Sequence, residues 1–152
     1  MAQRARTALV GCGGIAQYHL DQMLLQLDTT HIVALCDPNP HMLSLAQQKF
    51  QQAGLEPPST RSTLEAVLAD FGSELDTAFI MTPHAFHHAQ AVACLEAGLD
   101  VLLEKPMVIN AEARSLIRPR PHLAIVRCRP SASRRDAHRC QNTARGDISF
   151  DF

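Results

Sequence analysis

The stretch Thr7-Ala8-Leu9-Val10-Gly11-Cys12-Gly13-Gly14-Ile15-Ala16, continued by Gln17-Tyr18-His19-Leu20, decides how the chain is read. A short apolar run gives way at once to Gly-x-Gly-x-x-Ala, and then to the apolar spacing of an amphipathic helix. That order predicts a strand, a tight turn at Gly11, and a helix opening beside Gly13 and Gly14. Gly11 permits the turn, Gly13 lets the backbone approach a pyrophosphate, and Ala16 is small enough for close packing of helix on strand. The phosphate would sit where free backbone N–H groups and the positive end of the helix dipole converge, so no basic side chain is needed. Alone the glycine pattern is weak evidence, because Gly-rich turns occur in many loops.

Outward from this stretch, apolar runs alternate with helix-like segments. Thr7 to Val10 is expected as the first strand, Ile15 to Leu27 as the first helix, and His31 to Cys36 as a second strand that stops at Asp37-Pro38. A second helix over His41 to Ala53 should end at Gly54. Glu56 to Thr60 reads as a connection holding at most a weak third strand, since Pro57 and Pro58 cannot donate to a ladder. Ser62 and Glu65 form a capping-box pattern for a short helix through Val67 and Leu68. Asp76 to Met81, Ala85 to Ala97 closed by Gly98, and Val101 to Leu103 predict strand, helix and strand. Ala111 to Ile117 begins a further helix, and His122 to Val126 reads as a sixth strand. The alternation predicts an α/β chain with a Rossmann-type, doubly wound parallel sheet over residues 1–126, followed by a basic, irregular tail over 127–152.

The second strand strengthens the glycine reading, because it ends at Asp37, 26 residues after Gly11 and 21 after Ala16. A carboxylate there can accept hydrogen bonds from adenosine ribose hydroxyls, and its charge repels a 2′-phosphate. Pro38 and Asn39 follow it and no Arg stands beside it, so NAD is favoured over NADP. The plain alternative is that Asp37 merely opens an Asp-Pro turn. His84, His87 and His88 share a helix face, but no third ligand stands at a recognisable spacing, and no metal is expected.

Four segments together resemble the glucose-fructose oxidoreductase/inositol dehydrogenase/MocA (Gfo/Idh/MocA) family of nicotinamide-dependent oxidoreductases. They are GCGGIAQYH at 11–19, CDPNP at 36–40, TPHAFHHAQAVACLEAG at 82–98 and LLEKPM at 102–107. The resemblance implies that Gly11, Gly13, Gly14, Ile15 and Ala16 form a pyrophosphate loop, and that Asp37 is the ribose-binding acid. It also implies that Thr82, Pro83 and His87 border the dinucleotide, and that Glu104 and Lys105 lie beside nicotinamide and substrate. Lys105 is the candidate catalytic residue, because an ammonium can polarise a substrate hydroxyl while hydride passes to the nicotinamide. Pro106 biases Lys105 towards an extended backbone. Outside that resemblance, Glu104 and Lys105 would read as a solvent-facing charged pair. The implied chemistry is hydride transfer with a small-molecule substrate, a sugar, polyol or related hydroxyl compound.

The 152 residues carry a net charge of -1, but the average hides two unlike pieces. Residues 1–117 hold 6 basic and 12 acidic side chains, whereas residues 118–152 hold 8 Arg and 3 Asp. The resemblance fades where the composition changes, and family members continue into a second α/β domain that carries the substrate pocket. The chain is therefore expected to lack that domain, as a gene truncated or frame-shifted near Ile117 would, and to be weakly active or inactive alone. The competing class is a non-catalytic dinucleotide-binding or regulatory protein. A nucleic-acid arm is disfavoured, since no aromatic is interleaved among the arginines. The five cysteines form an odd set without a Cys-x-x-Cys pair, so reduced, mostly buried thiols are expected. With neither a secretory signal nor a membrane-length apolar run, a cytoplasmic location is expected.

Overall fold

The computed structural model describes residues 4–104 and one further strand at 125–127. The elements run β1 (Ala5–Val10), α1 (Gly14–Met23), β2 (Thr30–Cys36), α2 (Pro40–Gln52), β3 (Ser59–Arg61), α3 (Leu64–Phe71), β4 (Thr77–Ile80), α4 (His84–Glu96), β5 (Asp100–Leu103) and β6 (Ile125–Arg127). The strands form one sheet in the order β3-β2-β1-β4-β5-β6, with every adjacent pair parallel. The chain builds outward from β1 to β3, then returns to β4 on the other side of β1. The strand order therefore reverses between β1 and β4, the place where ligands bind in such sheets. This is the expected doubly wound Rossmann-type architecture.

Alternation along each strand divides the core into two layers. Ala8, Val10, Cys36, Ala78, Ile80, Val101 and Leu103 face α3 and α4, meeting Leu64, Val67, Ala91 and Cys94. Leu9, Leu35, Phe79 and Leu102 face α1 and α2, meeting Ala16, Leu20, Ala46 and Phe50. Burying side chains such as Leu35 and Phe79 contributes about 1.5–3 kcal/mol each. At the opposite end of the sheet, Arg6 clasps Asp76 through Nε (3.1 Å) and Nη2 (3.0 Å), tying β1 to β4 beside the backbone ladder.

Several boundaries differ from the sequence expectation for local reasons. The first helix ends at Met23, four residues before Leu27. Leu25 N–H and Gln26 N–H bond to carbonyls three residues back, which tightens the last turn, and Leu25 is left 79% exposed. Thr63, not Ser62, caps α3: its Oγ1 accepts from Ala66 N–H at 3.2 Å, and this frame buries Leu64 and Val67. Pro57 and Pro58 lie just outside β3, whose three residues pair with Ala34, Leu35 and Cys36. Gly54 and Gly98 follow α2 and α4 with positive φ, as expected of helix-ending residues. The sixth strand falls at 125–127, within two residues of the predicted run's end. The expected helix from Ala111, together with Lys105, Pro106, Cys128 and Cys140, lies outside the described residues. No helix among the described residues is long and apolar enough to cross a membrane.

Candidate functional site

At the C-terminal edge of the sheet the ladder continues one residue past each strand. Asp37 N–H donates to Arg61 O (3.1 Å), Gly11 N–H to Cys36 O (2.7 Å), Met81 N–H to Val10 O (2.7 Å) and Glu104 N–H to Ile80 O (2.9 Å). Asp37, Gly11, Met81 and Glu104 are thereby aligned across four neighbouring strands. Asp37, Gly11 and Glu104 are sites expected from the sequence, and Met81 directly precedes a fourth, Thr82.

Gly11 has φ +91°, and a Cβ there would lie 2.9 Å from backbone atoms of Met81 and Thr82. The fold itself requires glycine at this position, both for its dihedral and for the close approach of β4. Gly13 differs. It has φ −69° and ψ −168°, open to any residue, and a Cβ would meet nothing within 4 Å among the described residues. It is the N-cap of α1 and supplies no side-chain cap, and Gln17 N–H closes the first turn onto its carbonyl at 3.0 Å. The N–H groups of Gly14, Ile15 and Ala16 thus stand outside the helical ladder. Gly14 is exposed and Ile15 is 47% exposed, while Ala16 packs in the core as expected. Gln17 Nε2 steadies the loop by donating to Cys12 O at 2.9 Å.

Asp37 is half-buried, and its carboxylate receives Cys12 N–H on Oδ2 and Asn39 N–H on Oδ1, both at 2.8 Å. An ionised carboxylate offers about four acceptor positions, so about two remain for a ligand. The Asp37-Pro38 sequence does open a turn, since Asn39 caps α2 by accepting from His41 N–H at 3.0 Å. That role leaves acceptor capacity to spare. Cys12, Cys36 and Cys94 are free and buried. Burial first, then the Asp37 charge and the neighbouring Cys36, pushes the Cys12 thiol up to about 12, so it is inert packing.

On the other side of Gly11, Thr82 is half-buried and Pro83, exposed, caps α4. Thr82 Oγ1 donates to Gln90 Oε1 at 2.5 Å, and Thr82 O lies 2.7 Å from His87 Nε2. His87 was expected to border the dinucleotide. Its ring is instead 0% exposed, sitting edge-on to His84 beneath the Thr82-Pro83 turn. The helix that begins at His84 carries position 87 inward, beneath that turn. No group of three His, Cys, Asp or Glu side chains suited to a metal occurs among the described residues.

Glu104 ends β5 with a side chain only 14% exposed, its Oε1 4.0 Å from His19 Nε2. It is not the solvent-facing charge that an isolated Glu-Lys pair suggests. Its Oε2 is buried and has no hydrogen-bond partner among the described residues. His19, on the buried face of α1 and edge-on to Phe79, has its pKa lowered by burial, against the opposing pull of Glu104. His19, Gln17 and Gln90 were not singled out from the sequence. A histidine at an apolar position of the helix that follows the glycine turn was the available signal for the first.

These residues suit a dinucleotide. Open space over Gly13, ladder-free amides at the start of α1, and spare acceptors on Asp37 match a pyrophosphate flanked by a ribose. The family model for oxidoreductases with an NAD-binding Rossmann fold matches residues 5–126. An inositol 2-dehydrogenase of Corynebacterium glutamicum is 30% identical over 113 residues, 74% of this chain and 32% of that one. A D-apiose dehydrogenase of Paraburkholderia graminis is 30% identical over 116 residues, 76% of this chain and 29% of that one. Among solved structures, the WlbA dehydrogenase of Bordetella pertussis, in complex with NADH and UDP-GlcNAcA, is 32% identical with a TM-score of 0.61, covering 75% of this chain and 33% of that one. The chain thus spans about a third of the length of the curated relatives it matches. With the glycine turn, the acid after β2 and the strand reversal all in place, the chain belongs to the Gfo/Idh/MocA oxidoreductase family and carries its NAD-binding Rossmann fold.

Proposed function

We propose that this chain binds NAD across the reversal between β1 and β4, as the cofactor-binding half of a dehydrogenase acting on a hydroxyl group of a sugar or polyol. The observation that carries the reading is Gly13. Among the described residues nothing demands glycine there, and the space its missing Cβ leaves opens at the start of α1, one residue on from Cys12, whose amide Asp37 holds. The α1 amides would hold the pyrophosphate, and Asp37 the adenosine ribose hydroxyls. Ile15, exposed at the mouth, would cover the ligand's apolar surface. Thr82 and Pro83 would border the dinucleotide, with the buried His87 supporting their turn. Glu104 Oε2 would accept from a ligand hydroxyl or amide, and Lys105, next in the chain, would hold the substrate hydroxyl. Bound nicotinamide supplies the hydride acceptor. The substrate class is suggested by the relatives, among them inositol and apiose dehydrogenases.

The test is calorimetric titration of the chain with NADH and NADPH. Binding of NADH with at least tenfold preference over NADPH is expected, because Asp37 would face the 2′-phosphate. Absence of NADH binding at millimolar ligand, or equal affinity for both, would refute the proposal.

A further inference from the structure

We infer that Asp37 is a positioning residue for the phosphate loop as well as a ribose acceptor. Its Oδ2 accepts Cys12 N–H at 2.8 Å, a bond spanning 25 positions of sequence, while Oδ1 accepts Asn39 N–H at 2.8 Å. Cys12 lies between Gly11 and Gly13, the turn and the helix cap of the loop. Gly11 N–H is fixed to Cys36 O at 2.7 Å, so loop and acid are tied at two successive residues. Gln17 Nε2 holds the other side of the same peptide stretch, through Cys12 O at 2.9 Å. The Cys12 thiol, buried and within 3.9 Å of Cys36 O, fills the space beneath but makes only a weak contact. A charge-assisted bond to the Cys12 amide is therefore the strongest side-chain link aligning the loop.

The consequence is coupling. An acid that only receives hydroxyls affects ligands that carry them. An acid that also shapes the loop affects every ligand with a diphosphate, whether or not the ribose hydroxyls are present. Charge works in the opposite direction: removing a carboxylate near an anion favours binding, so weakened diphosphate binding cannot be an electrostatic by-product.

The inference rests on the cofactor site proposed above, and the test separates the two. Asp37→Ala is compared with the parent chain by amide hydrogen exchange without ligand, and by titration with ADP and with 2′,3′-dideoxy-ADP. The expected result is roughly tenfold or greater loss of protection at the Cys12 amide, with Leu9 and Leu35 amides unchanged, and roughly tenfold weaker binding of both nucleotides. Weaker ADP binding with unchanged or tighter dideoxy-ADP binding would overturn the inference and leave Asp37 a ribose acceptor only. Unchanged affinity for both would also overturn it. If the parent chain binds neither nucleotide, the cofactor reading falls, and Cys12 protection alone decides whether Asp37 shapes the loop. Should Asp37→Ala fail to fold, Asp37→Asn serves. It keeps one side-chain oxygen for two amides, so undiminished protection at both Cys12 and Asn39 would refute the role.

Discussion

Alanine at Gly11 and alanine at Gly13 are expected to fail in opposite ways, although a single residue separates them. At Gly11 the new side chain must adopt φ +91° with its Cβ 2.9 Å from the backbone of Met81 and Thr82. The dihedral costs about 1–2 kcal/mol, and overlap with backbone that cannot rotate away costs about 1–3 kcal/mol more. A total of about 2–5 kcal/mol corresponds to a fall in Tm on the order of 5–20 °C. At Gly13 the backbone angles suit alanine and a Cβ meets nothing within 4 Å. The entropy that alanine removes from the unfolded chain offsets its poorer N-cap, leaving stability within about 0.5 kcal/mol of the parent. The methyl group would instead occupy the space proposed for the pyrophosphate. Losing one charge-assisted hydrogen bond, about 1.5–3 kcal/mol, weakens NADH binding roughly 10- to 150-fold. Urea unfolding followed by circular dichroism reads the first quantity, and NADH titration the second. Parent-like NADH affinity in Gly13→Ala would refute the cofactor placement, and destabilisation matching that of Gly11→Ala would refute the steric argument.

Three further outcomes are expected. His87→Ala removes a fully buried ring and the partner of Thr82 O, so it should cost about 2–4 kcal/mol in urea unfolding; a loss below about 1 kcal/mol would contradict its buttressing role. For His19 the folded pKa is depressed, so its contribution to stability is complete above the unfolded value near 6.5 and declines as pH falls towards the folded value. His19→Phe should therefore flatten the fall in stability as pH drops below about 6.5; an unchanged slope there would count against a buried neutral ring. Cys12, Cys36 and Cys94, with thiols pushed up to about 12, about 11 and about 12 by burial, should be alkylated at neutral pH only after unfolding. Peptide mapping after brief iodoacetamide treatment checks this, and rapid native labelling of any of the three would show the site to be open.

The sequence by itself determined the strand-turn-helix at residues 7–20, the parallel α/β alternation and the acid at the end of β2. Those features are local: apolar period, glycine position and short spacing carry them, and each survives a shift of one or two residues at element ends. Boundary errors arose where two local signals competed. Leu24, Leu25 and Leu27 continue an apolar helix pattern, yet the chain leaves the helix in a tightened turn to reach β2. Ser62 and Thr63 are both capping residues, and the burial of Leu64 and Val67 chose between them. Only the tertiary structure decided what long-range approach creates. Gly11 is needed because β4, about seventy residues on, lies against it, and Gly13 is left open because nothing among the described residues does. His87 turns inward under the Thr82 turn, while Glu104 comes within 4.0 Å of His19, some eighty-five positions away, and is buried with it. Sequence spacing carries residue type and periodicity, but burial and the meeting of distant side chains follow from how parallel strands stack. Which candidate residues stand open at the sheet edge and which are buried beneath it follows only from the assembled sheet.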